Sequence, residues 1–310
     1  MKKLTQDEWL QALRNQIGNR KYWAMYSSWA GGIVTDVELM MVPLDDHLVH
    51  RGDGVFEALY YTPKGMFEVD AHIDRMFNSA KMVGLEMPVT KDELKDICQK
   101  VIDAAGEPEG QMRLYVSRGP GDFSPNPYST VGSQLYVVAM PPSPEKPEVY
   151  RDGVSACLST VPVKPHPYAQ IKSCNYLQNV MTKKESVDKG FDYAINVTAD
   201  GKIAEGPTEN LLVLTADREL VAPPFEYTLR GTTLLRAMAV AEELKAELDI
   251  KFVGEKELVV PDLENALELM TVGTTLGVCP VTSFEGSPVA DGKVGVVAKR
   301  LQSELEEIIG

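Results

Sequence analysis

The sequence predicts an α+β chain of two domains. Three observations carry this. The first half groups hairpin-forming strands and helices in blocks, whereas the second alternates short strands with helices. Between them, Ala139-Met140-Pro141-Pro142-Ser143-Pro144-Glu145-Lys146-Pro147 is stiff and cannot continue a helix or a central strand. It places a small N-terminal domain over 1–138, a proline-rich connection over 139–149 and a larger C-terminal domain over 150–310. Finally, 310 residues at 44% apolar content supply core for one large or two medium domains.

The elements follow in order. Residues 5–16 form a helix with Thr5 as N-cap and Trp9, Leu10 and Leu13 as its apolar stripe. Tyr22 to Met41 reads as two strands turning at Gly31-Gly32. Val55 to Tyr61 is a strand, Pro63-Lys64-Gly65 its turn, and Met66 to Val69 the returning partner. Asp70 caps a helix with Ile73, Met76, Phe77 and Ala80 on one face and Arg75 off it. Lys91 to Ala105 is a second helix and Gln111 to Ser117 a strand. Beyond the prolines, helices are expected over 174–188, 231–247 and 291–308.

Composition excludes several classes. The net charge of −14 leaves no basic face for a nucleic acid. Cys98, Cys157, Cys174 and Cys279 are scattered, with no metal-ligand spacing, so reduced thiols in a cytoplasmic protein are expected and no metal site. MKKLTQDEWLQALRNQ is an amphipathic helix with acids rather than a signal peptide, and no apolar run reaches the length that spans a membrane.

The chemistry concentrates between Ile171 and Asn210. Lys172 sits on a turn. An apolar helix pattern follows, with Leu177, Val180 and Met181 at helical spacing, Thr182 to Glu185 on the polar side and Gly190 as C-cap. Tyr193 to Thr198 is a β-branched run, Asp200-Gly201 a hairpin turn, and Lys202 to Glu205 starts the returning strand. One amine and one carboxylate, 33 positions apart, could thereby meet in one cleft.

The pattern IKSCNYLQNV, with EGPTEN after it, resembles the signature of class IV aminotransferases, the fold type IV pyridoxal-phosphate enzymes. Further runs carry the likeness: Tyr26 to Asp36, Val42 to Phe56, Arg113 to Phe123 and Lys172 to Val180. These are most like plant-type D-amino acid aminotransferases and 4-amino-4-deoxychorismate lyases. The resemblance implies a two-domain fold with pyridoxal 5'-phosphate between the domains and a homodimer. It implies that Lys172 holds the cofactor as a Schiff base and that Glu205 pairs with the pyridine nitrogen. Arg75, in HIDRMFNSAK, matches the arginine that holds the phosphate, where a guanidinium fork suits a dianion. Leu229-Arg230-Gly231-Thr232-Thr233 opens a helix whose free N–H groups favour an anion. By resemblance Leu229 lies under the ring, and Gly231, Thr232 and Thr233 meet the phosphate with Thr274 of Gly273-Thr274-Thr275. Tyr176 is implied near the phenolic oxygen.

The implied reaction is ping-pong transamination between an amino acid and a 2-oxo acid, with Lys172 as base and then acid. Its amine must be neutral, which calls for a desolvated, cation-flanked pocket. Arg51, Phe56, Arg113 and Thr275 are implied to face the substrate. With Cα–H aimed at Lys172, D and L substrates exchange carboxylate and side chain, so the position of the carboxylate trap decides the hand. Two arginines are more polar than a leucine pocket wants, which points to D-alanine or D-glutamate. The competing expectations are the lyase, a branched-chain L-aminotransferase and a non-enzymatic cofactor-binding protein. The Gly- and Pro-rich loop 118–130 is expected to move or to reach a neighbouring site.

Overall fold

The computed structural model describes residues 1–17 and 21–310. They divide into two compact units, 1–143 with 173–175, and 144–172 with 176–310.

The first unit contains α1 (Gln6–Ile17), β1 (Ala24–Ser27), β2 (Gly32–Val34), α2 (His47–Arg51), β3 (Gly54–Thr62) and β4 (Gly65–Met66). After these come α3 (Val69–Met82), α4 (Lys91–Ala105), β5 (Gly110–Ser117) and β6 (Gln134–Met140). Its sheet is antiparallel in the order β2-β1-β6-β5-β3-β4. Strand alternation decides what each face carries. Val55, Glu57 and Leu59 of β3 and Met112, Leu114 and Val116 of β5 are buried, while Phe56, Arg113 and Tyr115 point the other way, half-buried. The rings of Phe56 and Tyr115, paired across the strands, stack at 6.1 Å. Helix α3 lies against β3 and α4 against β6 and β1, burying Ile73, Met76, Ala80, Leu94, Cys98 and Val101.

Helix α4 begins and ends where its sequence puts it, because Thr90 and Glu93 close a reciprocal capping box and Gly106 takes the left-handed C-cap. Helix α3 differs: Glu68, at φ 48°, is its N-cap, and Asp70 sits inside the first turn, paired with Lys95 at 2.5 Å. The partner of β3 is also shorter than expected, two residues rather than four, because Val69 is already helical. At α1, Thr5 and Glu8 bond reciprocally, but Trp9 remains 54% exposed, so its stripe is covered only in part.

The second unit contains α5 (Pro147–Asp152), β7 (Val154–Leu158), α6 (Leu177–Lys189), β8 (Tyr193–Ile195), β9 (Asn210–Leu214), β10 (Glu219–Ala222) and α7 (Thr232–Leu244). It closes with β11 (Phe252–Glu255), α8 (Val260–Glu264), β12 (Glu268–Gly273), β13 (Gly277–Phe284), β14 (Ser287–Pro288) and α9 (Val296–Ile309). Its mixed sheet runs β11-β10-β9-β12-β13-β7-β8, with β14 beside β13. Strand β9, Asn-Leu-Leu-Val-Leu, is buried along its whole length, as expected where both faces are covered. Leu212 and Leu214 join one core with α7 and α9; Leu211 and Val213 join a second with Ile203, Leu258, Leu263 and Val281. The unit is α+β throughout, and no described helix is long and apolar enough to cross a membrane.

Helix α6 departs from its sequence pattern. It starts at Leu177, three residues later than expected, and its apolar residues face outward: Leu177 is 70%, Val180 57% and Met181 45% exposed. The buried side is polar. Thr182 accepts from Asn196 Nδ2 at 3.0 Å, Ser186 donates to its own helix, and Glu185 accepts from Ser159 and Thr160. A polar face goes inside here because each of its groups finds a partner.

Candidate active site

Lys172 follows a short 3-10 turn at Tyr168–Gln170 and the buried Ile171. The next three residues belong to the first unit, where Ser173 bridges to Val55 and Cys174 N donates to Gly54 O at 2.8 Å. The chain returns at Tyr176, the N-cap of α6. Lys172 and Tyr176 line a cavity with Glu205, Leu229, Asn179 and Lys164. The amine and the carboxylate of the sequence pattern are thus brought to one place by the hairpin. Its backbone pairing (Asn196 N to Glu205 O, Thr198 N to Lys202 O) persists although the returning segment is an isolated bridge rather than a regular strand.

Glu205 is held from two sides. Its Oε2 accepts from Asn210 Nδ2 at 2.9 Å and from the Leu229 N–H at 3.0 Å, while Asn210 Nδ2 also donates to Leu229 O at 2.8 Å. Both bonds engage one oxygen, so Oε1 is the oxygen left for a ligand. Burial drives its carboxyl up from 4.5 to about 7, against the opposing pull of the Leu229 N–H and the charges of Lys172 and Lys164. The carboxyl therefore sits where a positively charged partner would ionise it.

A second cluster stands at the start of α7. Gly231 is the N-cap, Thr232 and Thr233 are buried in the first turn, and Thr233 Oγ1 reaches Thr274 Oγ1 at 3.4 Å. Thr274 and Thr275 lie in the turn from β12 to β13. Two hydroxyls at the N-terminus of a 13-residue helix supply the donors a phosphate needs. Only glycine fits at 231, since a Cβ there would collide with Asn210 Oδ1. The glycine thus leaves room for the amide that orients Glu205.

In the first unit, Arg75 is nearly buried and clamps Glu57, with Nε to Oε1 and Nη2 to Oε2 both 2.7 Å. His72 Nδ1 lies 2.7 Å from the same carboxylate. Burial alone would raise Glu57, but the Arg75 charge and hydrogen bonds hold it at about 2. One edge of the Arg75 fork is therefore committed to Glu57. Arg113 stands on the half-buried face of its sheet beside Tyr115, with Phe56 on the same face. Arg51 is exposed and donates to His50 O at 2.9 Å and to Phe123 O in the 118–130 loop.

Two residues escaped the sequence pattern. Asn210 closes EGPTEN, and its position directly after the acid-bearing loop was the available signal. Lys164 had no signal, since a lone lysine between prolines reads as surface.

The family model described as Amino-transferase class IV matches residues 54–284. The chain belongs to the class IV aminotransferases. It is 36% identical over 291 residues to "D-amino-acid transaminase, chloroplastic" of Arabidopsis thaliana, covering 94% of this chain and 77% of that one. It is 29% identical to the D-alanine aminotransferase of Bacillus licheniformis (86% and 92% covered) and 28% identical to the branched-chain-amino-acid aminotransferase of Escherichia coli K12 (88% and 90%). Among solved structures, a branched-chain amino acid aminotransferase with pyridoxamine 5'-phosphate superposes at a TM-score of 0.85, with 26% identity and 94% and 95% covered. The Escherichia coli branched-chain enzyme superposes at 0.84, with 26% identity and 93% and 94% covered. The protein is a class IV aminotransferase that depends on pyridoxal 5'-phosphate. Its own residues fit that group: a half-buried acid with one oxygen left for a ligand, an amine in the same cavity, and a helix N-terminus with two hydroxyls.

Proposed function

We propose that the protein moves an amino group from a D-amino acid, D-alanine or D-glutamate, to a 2-oxo acid, with Lys172 as its catalytic residue. The observation that supports the chemistry is the shared cavity of Lys172 and Glu205, with Glu205 oriented by Asn210 and Leu229. The hand rests on the 36% identity to a D-amino-acid transaminase over nearly the whole chain, and on the two arginines, Arg51 and Arg113, where a leucine pocket would be apolar.

Pyridoxal phosphate, when bound, supplies the carbonyl that takes up the amino group and the ring that accepts the Cα electron pair. Lys172 Nζ would hold the cofactor, and its free amine would take the proton from the substrate Cα. Glu205 accepts a hydrogen bond from the ring nitrogen through Oε1 and stays ionised beside that positive charge. Asn210 and the Leu229 N–H fix its angle. Thr232, Thr233 and Thr274, with the α7 N-terminus, hold the phosphate, joined by Arg75. Leu229 would lie under the ring with Tyr176 beside it, and Phe56 and Thr275 would face the substrate.

A screen of D- and L-amino acids, followed by the loss of the cofactor's visible absorbance, tests the hand. D-alanine or D-glutamate should react fastest. Faster reaction of L-leucine would establish the branched-chain alternative, which the likeness to the solved branched-chain enzymes favours.

A further inference from the structure

Lys164 lies in the irregular segment after β7, VPVKPHPY, where Pro162, Pro165 and Pro167 restrict the backbone. It is half-buried and lines the cavity of Lys172, Tyr176 and Glu205. Its Nζ stands 4.9 Å from the centroid of the Tyr176 ring. Attraction to a tyrosine face is modest and offsets only part of the loss of water around an ammonium. Desolvation pulls this amine below its ordinary value, and Glu205 is the opposing charge. Yet Glu205 accepts its hydrogen bonds from Asn210 and the Leu229 N–H, and among the described residues no carboxylate stands within ion-pair distance of Lys164. Among the described residues Glu205 is the carboxylate lining that cavity, and its Oε2 is engaged elsewhere, so the half-buried ammonium has no ion-pair partner and keeps capacity for another anion.

We infer that Lys164 binds the α-carboxylate of the amino acid substrate. This rests on the transaminase function proposed above and deepens it by naming a carboxylate site in the cavity of Lys172. The phosphate-binding candidates Thr232, Thr233 and Thr274 do not line that cavity, and neither does Thr275. Lys164 stands with Tyr176 and Glu205 instead. With its Cα–H aimed at Lys172, a substrate divides its carboxylate and side chain between the phosphate side and the opposite side. A carboxylate on Lys164 turns the side chain toward the threonines. The other hand of the amino acid must exchange the two groups and forfeits the ammonium contact. Lys164 thereby bears on the hand as well as the affinity, beside the polar lining that Arg51 and Arg113 are proposed to supply.

The test uses the holoenzyme, with Lys164→Met and Lys164→Arg beside the wild type. Propionate, which carries the carboxylate but no amine, is titrated against the cofactor's absorbance band, and KM and kcat are measured with both hands of alanine. Lys164→Met should weaken propionate and raise KM for the preferred hand by about 10- to 100-fold, the loss of one charge-assisted contact. Its cofactor affinity and kcat should stay within a few-fold of wild type, its preference between hands should shrink, and Lys164→Arg should restore most of the binding. Unchanged propionate affinity in Lys164→Met, or a loss of cofactor affinity without substrate present, overturns the assignment. If propionate weakens but the wild type prefers L-amino acids, the carboxylate site stands and the D-specific function falls. If D-activity is present and Lys164→Met leaves it untouched, only the site falls.

Discussion

Replacing Glu205 by glutamine separates the two things this carboxyl does. In the folded chain burial moves its titration from 4.5 to about 7. Each pH unit of such a difference is worth about 1.4 kcal/mol, so the gap amounts to about 3 kcal/mol. The sign follows from the two states. Below 4.5 the acid is protonated whether the chain is folded or not, and nothing is lost. Between 4.5 and 7 the unfolded chain ionises while the folded chain keeps its proton, so rising pH favours unfolding. Above 7 the loss is complete. Glutamine has no proton to keep. Its carbonyl can replace Oε2 as acceptor for Asn210 and Leu229, with its NH2 in the position of Oε1. In urea denaturation of the cofactor-free protein, Glu205→Gln should therefore gain on wild type by up to about 3 kcal/mol between pH 4.5 and pH 8. With cofactor bound the same substitution costs activity. The NH2 cannot accept from a protonated ring nitrogen, and kcat should fall on the order of 10²- to 10³-fold, as for loss of one placed electrostatic partner. An equal stability difference at the two pH values would refute the burial argument. Turnover near that of wild type would remove Glu205 from the ring nitrogen.

Lys172→Ala should abolish transamination and leave the far-ultraviolet circular dichroism intact; retained turnover would displace Lys172 from its role. Arg75→Ala should cost about 3–5 kcal/mol in urea denaturation, because it leaves the fully buried Glu57 without its cation. In wild type the stabilisation from Glu57 is present above its ordinary 4.5 and lost as pH falls toward about 2, and the variant should lack that acid dependence. A loss below about 1 kcal/mol would mean the pair contributes little beyond a surface bridge. Cofactor affinity measured on the same variant checks the phosphate role, which an unchanged Kd would contradict. Gly231→Ala should push on Asn210 and turn Glu205 from its angle, lowering cofactor content and cutting kcat by about 10-fold or more. Wild-type values for both would show that the backbone yields there.

Local rules made several elements legible. Helix α4 announces itself by Thr90 and Glu93 at its start and by a regular apolar stripe, all within fifteen residues of one another. Strands β3 and β5 follow from alternation. Lys172 and Glu205 were legible because the motif around each is local: a lysine before an asparagine-tyrosine-leucine run, an acid before glycine and proline. The hairpin turn at Asp200-Gly201 explains why they share a cavity.

What only the tertiary structure decided is pairing over distance. The faces of α6 could not be assigned from hydropathy, because its buried side is satisfied by Asn196, Ser159 and Thr160, residues outside the helix. The clamp of Arg75 on Glu57 joins a helix to a strand 18 positions earlier, and nothing near Arg75 forecasts it. Asn210 looks like the end of a motif until the fold sets it against Glu205, Leu229 and Gly231 together. Lys164 is a lysine among prolines until α6 and the hairpin line one cavity with it and Tyr176. Sequence determines whatever depends on neighbours along the chain: propensity, capping, alternation and turn chemistry. It does not determine which desolvated charge meets which partner, because desolvation is a property of what closes around a residue, and the groups that close around these come from elsewhere in the chain.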